Sequence, residues 1–190
     1  MSRVFWVRHA PIHAKVMVGW SDLPADLADT ARLARLGAAL PREALLVSSD
    51  LSRAVQTADA IAGARARAAP DSDLREIHFG AWELQPFDKV PDQARLRAFW
   101  EQPGALRPPG GESWDDIVAR VNRAVARLMR AHPGRDLIVV AHLGAILTQV
   151  QRALGLSAYD TFAQPIDNLS ITELHHRGGL WQVQRINFRP

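Results

Sequence analysis

The chain has 190 residues, 47% of them hydrophobic and none of them cysteine. That suits one domain, residues 1–190, with a core of its own, and excludes a disulfide framework or a thiolate metal site. Formal net charge is +3, carried by arginine except at Lys15 and Lys89, and acids alternate with bases without a basic block, which argues against a nucleic-acid partner.

The N-terminal run Val4-Phe5-Trp6-Val7 is too short for a signal-peptide core, and no apolar stretch is long enough to span a bilayer, so the expectation is a cytoplasmic protein with no membrane partner. Val4 to Val7 is a β-type run. Ala28 to Leu40 has helical spacing and ends before Pro41. Ala44 to Ser48 reads as a strand, and Leu51 to Ala64 as a helix with Ser49 or Asp50 as its N-cap. Leu74 to Trp82 suits a strand or an ordered loop. Prolines at 86, 91, 103, 108 and 109 break up the next stretch. They leave room for one helix, Gln93 to Trp100, within a cap-like excursion at about 84–112. Ser113 and Asp116 form a capping-box pattern opening a helix to Ala131. Leu137 to Ala141 is a continuous apolar, β-branched run of the kind buried on both faces. Ala145 to Leu154 is helical, closed by Gly155. Ser170 to His175 and Leu180 to Ile186 suit two closing strands. The alternation predicts an α/β fold, a three-layer sandwich whose mostly parallel central sheet is flanked by helices.

Three of these strands end in reactive polar residues: Arg8-His9, then Ser48-Ser49 with Arg53 in the following turn, then His142. If the strands are parallel, these groups meet at the carboxyl edge of the sheet, where open α/β sheets bind ligands and where helix N-termini favour anions. Two histidines and two arginines there describe an oxyanion site, with phosphate the natural ligand. Arg8 and Arg53 offer planar forks for phosphate oxygens. Neighbouring guanidinium groups favour the neutral imidazole that His9 needs to act as a nucleophile. His142, if protonated, donates to the phosphoryl group. Departure of an alkoxide requires a proton donor with a raised pKa, for which Glu76 is the first candidate and Glu83 the second.

The residues also resemble a known family. Val7-Arg8-His9-Ala10 resembles the Arg-His-Gly signature of the histidine phosphatase superfamily, the phosphoglycerate-mutase-like proteins. The run from Ser48 to Ala58 is similar to the block that supplies its second arginine. Leu74-x-Glu76-x-x-Phe79-Gly80-x-Trp82-Glu83 is similar to the block carrying the proton donor. Gly110-Gly111-Glu112-Ser113, Val139-Val140-Ala141-His142 and Asp167 to Thr172 follow in the family's order over almost the whole chain. The resemblance implies a phosphoglycerate-mutase-like fold and a phosphomonoester hydrolase of histidine acid phosphatase type. It implies a nucleophile at His9, phosphate ligands at Arg8, Arg53 and His142, and a proton donor at Glu76. It implies neither a metal nor an organic cofactor. The partner implied is a small phosphorylated metabolite or inorganic phosphate.

The sequence departs from the pattern at Ala10, Pro11, Leu84 and Leu143. Ala10 restricts the backbone, Pro11 removes an amide, and Leu143 makes a bulkier wall beside the phosphoryl group. These departures keep open a non-catalytic phospholigand-binding protein. A phosphoglycerate-mutase-type phosphotransferase is a further alternative, disfavoured by the lack of the extra segments that mutases carry. His13 is placed to reach a substrate oxygen or to lie as an exposed loop histidine. Arg53 has an alternative ion-pair partner in Asp50, and His142 has an alternative place as a core histidine. His9 with His13 has metal-compatible spacing, but no acidic or histidine cluster completes a site. The tryptophans at 6, 82, 100, 114 and 181 read as core or cap packing.

Overall fold

The computed structural model describes residues 2–190. Five strands form one sheet: β1 (Ser2–Arg8), β2 (Leu45–Ser48), β3 (Leu137–Ala141), β4 (Ile171–Arg177) and β5 (Leu180–Phe188). Their order is β2-β3-β1-β4-β5. β3 pairs in parallel with both β1 and β2. β4 runs antiparallel to β1, and β5 antiparallel to β4, so β4 alone opposes the other strands. β4 and β5 are joined at Gly178-Gly179, with φ of 58° and 83°, the left-handed pair that a tight hairpin turn requires.

The strand alternation sorts the core into two layers. Val4, Trp6, Val47, Leu137 and Val139 face one side, and Phe5, Val7, Leu46, Ile138 and Val140 face the other. The first side is covered by α4 (Trp114–Ala131) and α5 (Leu143–Leu154), which contribute Ile117, Val121, Ile146 and Val150. The second is covered by α1 (Thr30–Ala39) and α2 (Ser52–Ile61), through Leu33, Leu36, Ala54 and Ile61. Every residue of β3 is buried, as its unbroken apolar run demands in the middle of a covered sheet. The remaining helices are α3 (Gln93–Glu101) and the short α6 (Ala158–Thr161).

Local chemistry sets the boundaries. Ser113 and Asp116 make both bonds of the capping box that opens α4. α5 begins two residues before the expected Ala145 and ends at Gly155 in the left-handed conformation. The N-cap of α2 is neither Ser49 nor Asp50 but Leu51, which offers no side-chain bond. Asp22, from a distant loop, accepts the Ser52 amide at 2.7 Å instead. Asp50 is held by the fork of Arg75, at 2.7 and 2.6 Å, so the alternative Arg53–Asp50 pair does not form. The stretch from Leu74 to Trp82 is an ordered loop with one-turn helices at Ser72–Leu74 and Gly80–Trp82. Leu84 has φ 60°, a left-handed conformation that costs a leucine on the order of 1 kcal/mol. Among the described residues, no helix is long and apolar enough to cross a membrane.

Candidate active site

The register of the parallel strands brings their ends level: Arg8 lies opposite Ala141, and Ser48 opposite Val140. One residue further on, the His9 amide still bonds the Ala141 carbonyl at 3.0 Å, and the Ser49 amide that of Val140 at 3.0 Å. His9 and His142 therefore leave adjacent strands at the same edge, with ring centroids 5.0 Å apart. A cavity of about 410 Å³ opens there, lined by Arg8, His9, Arg53, Glu76, Leu143 and Asn168 among others.

His9 is held from several directions. Its Nδ1 lies 2.6 Å from the Ala10 carbonyl, so the Nδ1–H tautomer satisfies that acceptor and leaves the Nε2 lone pair free. The Asn168 Nδ2 donates to the His9 carbonyl at 2.8 Å. The Ala10 amide donates to Thr57 Oγ1 at 2.9 Å, and that hydroxyl donates to the Arg53 carbonyl at 2.7 Å. The loop after β1 is thus tied to α2. The methyl group of Ala10 is fully buried among the residues beneath α1 and α2. Burial, and then the Arg53 and Arg8 charges, push the His9 pKa down to about 3, so its imidazole is neutral at physiological pH.

Arg53 is buried in the first turn of α2 and donates to the carbonyls of Gly19 at 2.6 Å and Ser21 at 2.9 Å. Arg8 donates to the Ile166 carbonyl at 2.6 Å. The Nε of each arginine and both ring nitrogens of His142 are buried without a hydrogen-bond partner. Burial, with His9 and the arginines nearby, holds the His142 pKa well below its ordinary value. That direction favours the neutral ring, which offers one N–H to a ligand.

Glu76 and Glu83 are separated by their surroundings. Both carboxylate oxygens of Glu76 approach the Gly144 amide, at 3.0 and 3.1 Å, in the first turn of α5. Burial nevertheless pushes its pKa up, toward the neutral form that can donate a proton. Burial also pushes Glu83 up, but bonds from Ser21, Gly19, Trp20 and Phe79 outweigh it and hold its carboxyl below the ordinary value. Glu83 is the anchor of the 19–21 loop, whose carbonyls in turn hold Arg53. The backbone of Glu76 is fixed too: its carbonyl accepts from Trp20 Nε1 at 2.8 Å and from Arg120 at 3.1 Å, and Arg120 pairs with Glu112.

His13 is not part of this cavity. Its exposed ring lies 2.9 Å from Asp26, in a separate depression with Leu23 and Pro24; the loop that carries it turns away after Pro11. Leu143 does line the cavity. Thr57, Asn168, Gly144, Trp20 and Arg120 were not among the expected site residues. Among the described residues, no group of three or more histidine or acidic side chains is placed to hold a metal ion. A further cavity of about 620 Å³ lies between α1 and α2 beside Arg65 and contains none of the candidate residues. Arg65 there donates to the carbonyls of Gly37, Leu40, Pro41 and Ile61.

A Cβ on Gly144 would lie 2.3 Å from Glu76 Oε1. Gly144→Ala is therefore expected to push the carboxyl out of place and lower the kcat/KM of any reaction needing Glu76 by about 10- to 100-fold. Phosphate affinity should change less than threefold, which titration calorimetry checks.

The family model of the histidine phosphatase superfamily (branch 1) matches residues 4–189. A bifunctional protein of Mycobacterium tuberculosis is 34% identical over 167 residues, 85% of this chain, and the chain spans only 43% of that protein's length. A Salmonella choleraesuis protein named a probable phosphoglycerate mutase is 28% identical over 95% of the chain and 88% of its own length. Among solved structures, Bacillus stearothermophilus YhfR superposes with a TM-score of 0.91 at 25% identity, covering 99% of this chain and 98% of that one. A mycobacterial glucosyl-3-phosphoglycerate phosphatase solved with VO3 superposes with a TM-score of 0.84 at 28% identity, over 98% of each chain. With the family's blocks in order along the sequence and its model matched almost end to end, the chain belongs to the histidine phosphatase superfamily.

Proposed function

We propose that the protein hydrolyses phosphomonoesters through a phosphohistidine formed on His9. The observation that carries this reading is the set of buried, unpartnered polar atoms around a neutral His9: the ring nitrogens of His142 and the Nε atoms of Arg8 and Arg53. Leaving a buried donor unsatisfied costs roughly 1–3 kcal/mol. Several such groups around one cavity are the preorganised electrostatics that a transferring phosphoryl group requires.

In this mechanism Arg8, Arg53 and His142 take the equatorial oxygens. His9 Nε2 attacks phosphorus in line with the leaving oxygen, while Nδ1–H stays on the Ala10 carbonyl. Glu76 donates its proton to the departing alkoxide and becomes a carboxylate. A water molecule then gives that proton back to Glu76 as it attacks the phosphohistidine, releasing phosphate and neutral His9. The likeness to the mycobacterial phosphatase solved with VO3 supports hydrolysis. The likeness to a mutase-named protein favours a second reading, transfer of the phosphoryl group to another alcohol, which release of inorganic phosphate separates from hydrolysis.

The test is turnover of a general aryl phosphate by the wild-type protein. Steady release of inorganic phosphate, inhibited competitively by orthovanadate, is expected. Tight vanadate binding without turnover would replace this reading with that of a non-catalytic phospholigand-binding protein.

A further inference from the structure

Beyond the phosphoryl end, the cavity has an unusual balance. Its ionisable lining residues are Arg8, His9, Arg53 and Glu76, all engaged at the reacting group in the mechanism above. Apart from Asn168, the other lining residues are aliphatic or aromatic, among them Met17, Phe79, Phe87, Trp100 and Leu143. Trp100 is the hub. Its ring lies 5.9 Å from Phe79, 6.2 Å from Phe87 and 5.6 Å from Phe162. A second cavity of about 430 Å³ shares the walls Arg8, Trp100 and Leu143 and continues along Leu147, Phe162 and Ile166. Gln164 and the Trp100 indole N–H are its polar groups besides Arg8 among the described residues. Phe87 is half exposed at 52%.

From this we infer that the substrate class is the phosphomonoesters of apolar alcohols, hydrocarbon or ring-bearing, selected by the wall of Trp100, Phe87 and Leu143; the inference rests on the phosphatase reading above. The alternative within that reading is a leaving group carrying a carboxylate or a second phosphate. Among the described residues, no cation in either wall is left to meet it, since Arg8 and Arg53 serve the reacting phosphoryl group, and burying an unpaired anion against aromatic rings is strongly unfavourable. Lys15 lies between the lining residues Ala14 and Val16 but is not itself in the wall. An apolar leaving group instead removes aromatic and aliphatic surface from water on both sides, and each buried methylene is worth a factor of about four in binding.

The test compares primary alkyl phosphates of matched leaving-group chemistry on the full chain. Hexyl phosphate is expected to exceed ethyl phosphate in kcat/KM by about 10- to 100-fold, and 3-phosphoglycerate to fall below ethyl phosphate. Phe87→Ser, at a half-exposed position, is expected to cut the hexyl-to-ethyl ratio by about threefold or more. A ratio near one, or a preference for 3-phosphoglycerate, overturns the inference while leaving phosphatase activity standing. Binding of hexylphosphonate against ethylphosphonate, measured by calorimetry, separates the two claims. If no ester turns over but the phosphonates bind in the expected order, the catalytic reading fails and the apolar subsite stands. If the phosphonates bind equally, the subsite fails regardless of turnover.

Discussion

Replacing His9 with asparagine is expected to lower kcat for aryl phosphates by at least about 10⁴-fold, the scale on which loss of a covalent nucleophile is felt, while vanadate still binds. The imidazole is the group in the cavity with a free lone pair and a neutral charge state near pH 7, its pKa held at about 3 by burial and then by the Arg53 and Arg8 charges. The loop around it is held through the backbone. Asn168 bonds the His9 carbonyl and Thr57 the Ala10 amide, and neither bond needs the ring. The variant should therefore fold with Arg8, Arg53 and His142 in place. Steady-state assay with a vanadate titration separates the two effects: lost turnover with retained binding supports a nucleophile, and parallel loss of both points to a collapsed site.

Glu76→Gln is expected to cost about 10²- to 10⁴-fold in kcat/KM for alkyl phosphates and far less for aryl phosphates, whose leaving groups depart without a full proton. Glutamine keeps the shape and the approach to the Gly144 amide but cannot give up a proton. The pH profile sharpens the test. His9 must be neutral, so the acid limb of the wild-type kcat/KM falls off toward pH 3. Glu76 must be protonated, and its pKa is raised by burial. Activity therefore falls as pH rises through a value above the ordinary carboxylate range. In the glutamine variant that basic limb should vanish, leaving only the titration of the substrate, whose second pKa is about 6 and which is common to both proteins. An unchanged basic limb would remove Glu76 from the proton-transfer role.

The parts of the site that could be read in the sequence are those fixed by strand ends. Arg8-His9, Ser48-Ser49 and His142 each follow an apolar β-type run. Once β1, β2 and β3 are parallel and in register, their ends must share an edge. The capping box of α4 and the left-handed Gly155 were legible for the same reason, being local chemistry. What could not be read is set by long-range closure. Thr57 meets Ala10 across 47 residues, Gly144 meets Glu76 across 68, and Asn168 meets His9 across 159, with no spacing to announce any of them. Glu76 and Glu83 sit in one loop and differ only in what folds against them: the Gly144 amide at the start of α5 for one, the 19–21 loop for the other. For His13 the sequence offered a substrate contact or an exposed loop position, and only the fold places its ring beside Asp26. At Leu84 a side chain occupies a backbone conformation suited to glycine, so the break in the sequence pattern there corresponds to local strain.

Whether His9 carries the phosphoryl group is read out by acid-free rapid quench of the wild-type protein with an aryl phosphate, followed by peptide mass analysis. An added phosphoryl mass is expected on the peptide containing His9, stable in base and lost in mild acid, forming and decaying at rates that match turnover, and absent from His9→Asn. Steady turnover with no phosphoenzyme at any quench time, or a phosphoryl group on a different residue, would contradict a phosphohistidine at His9.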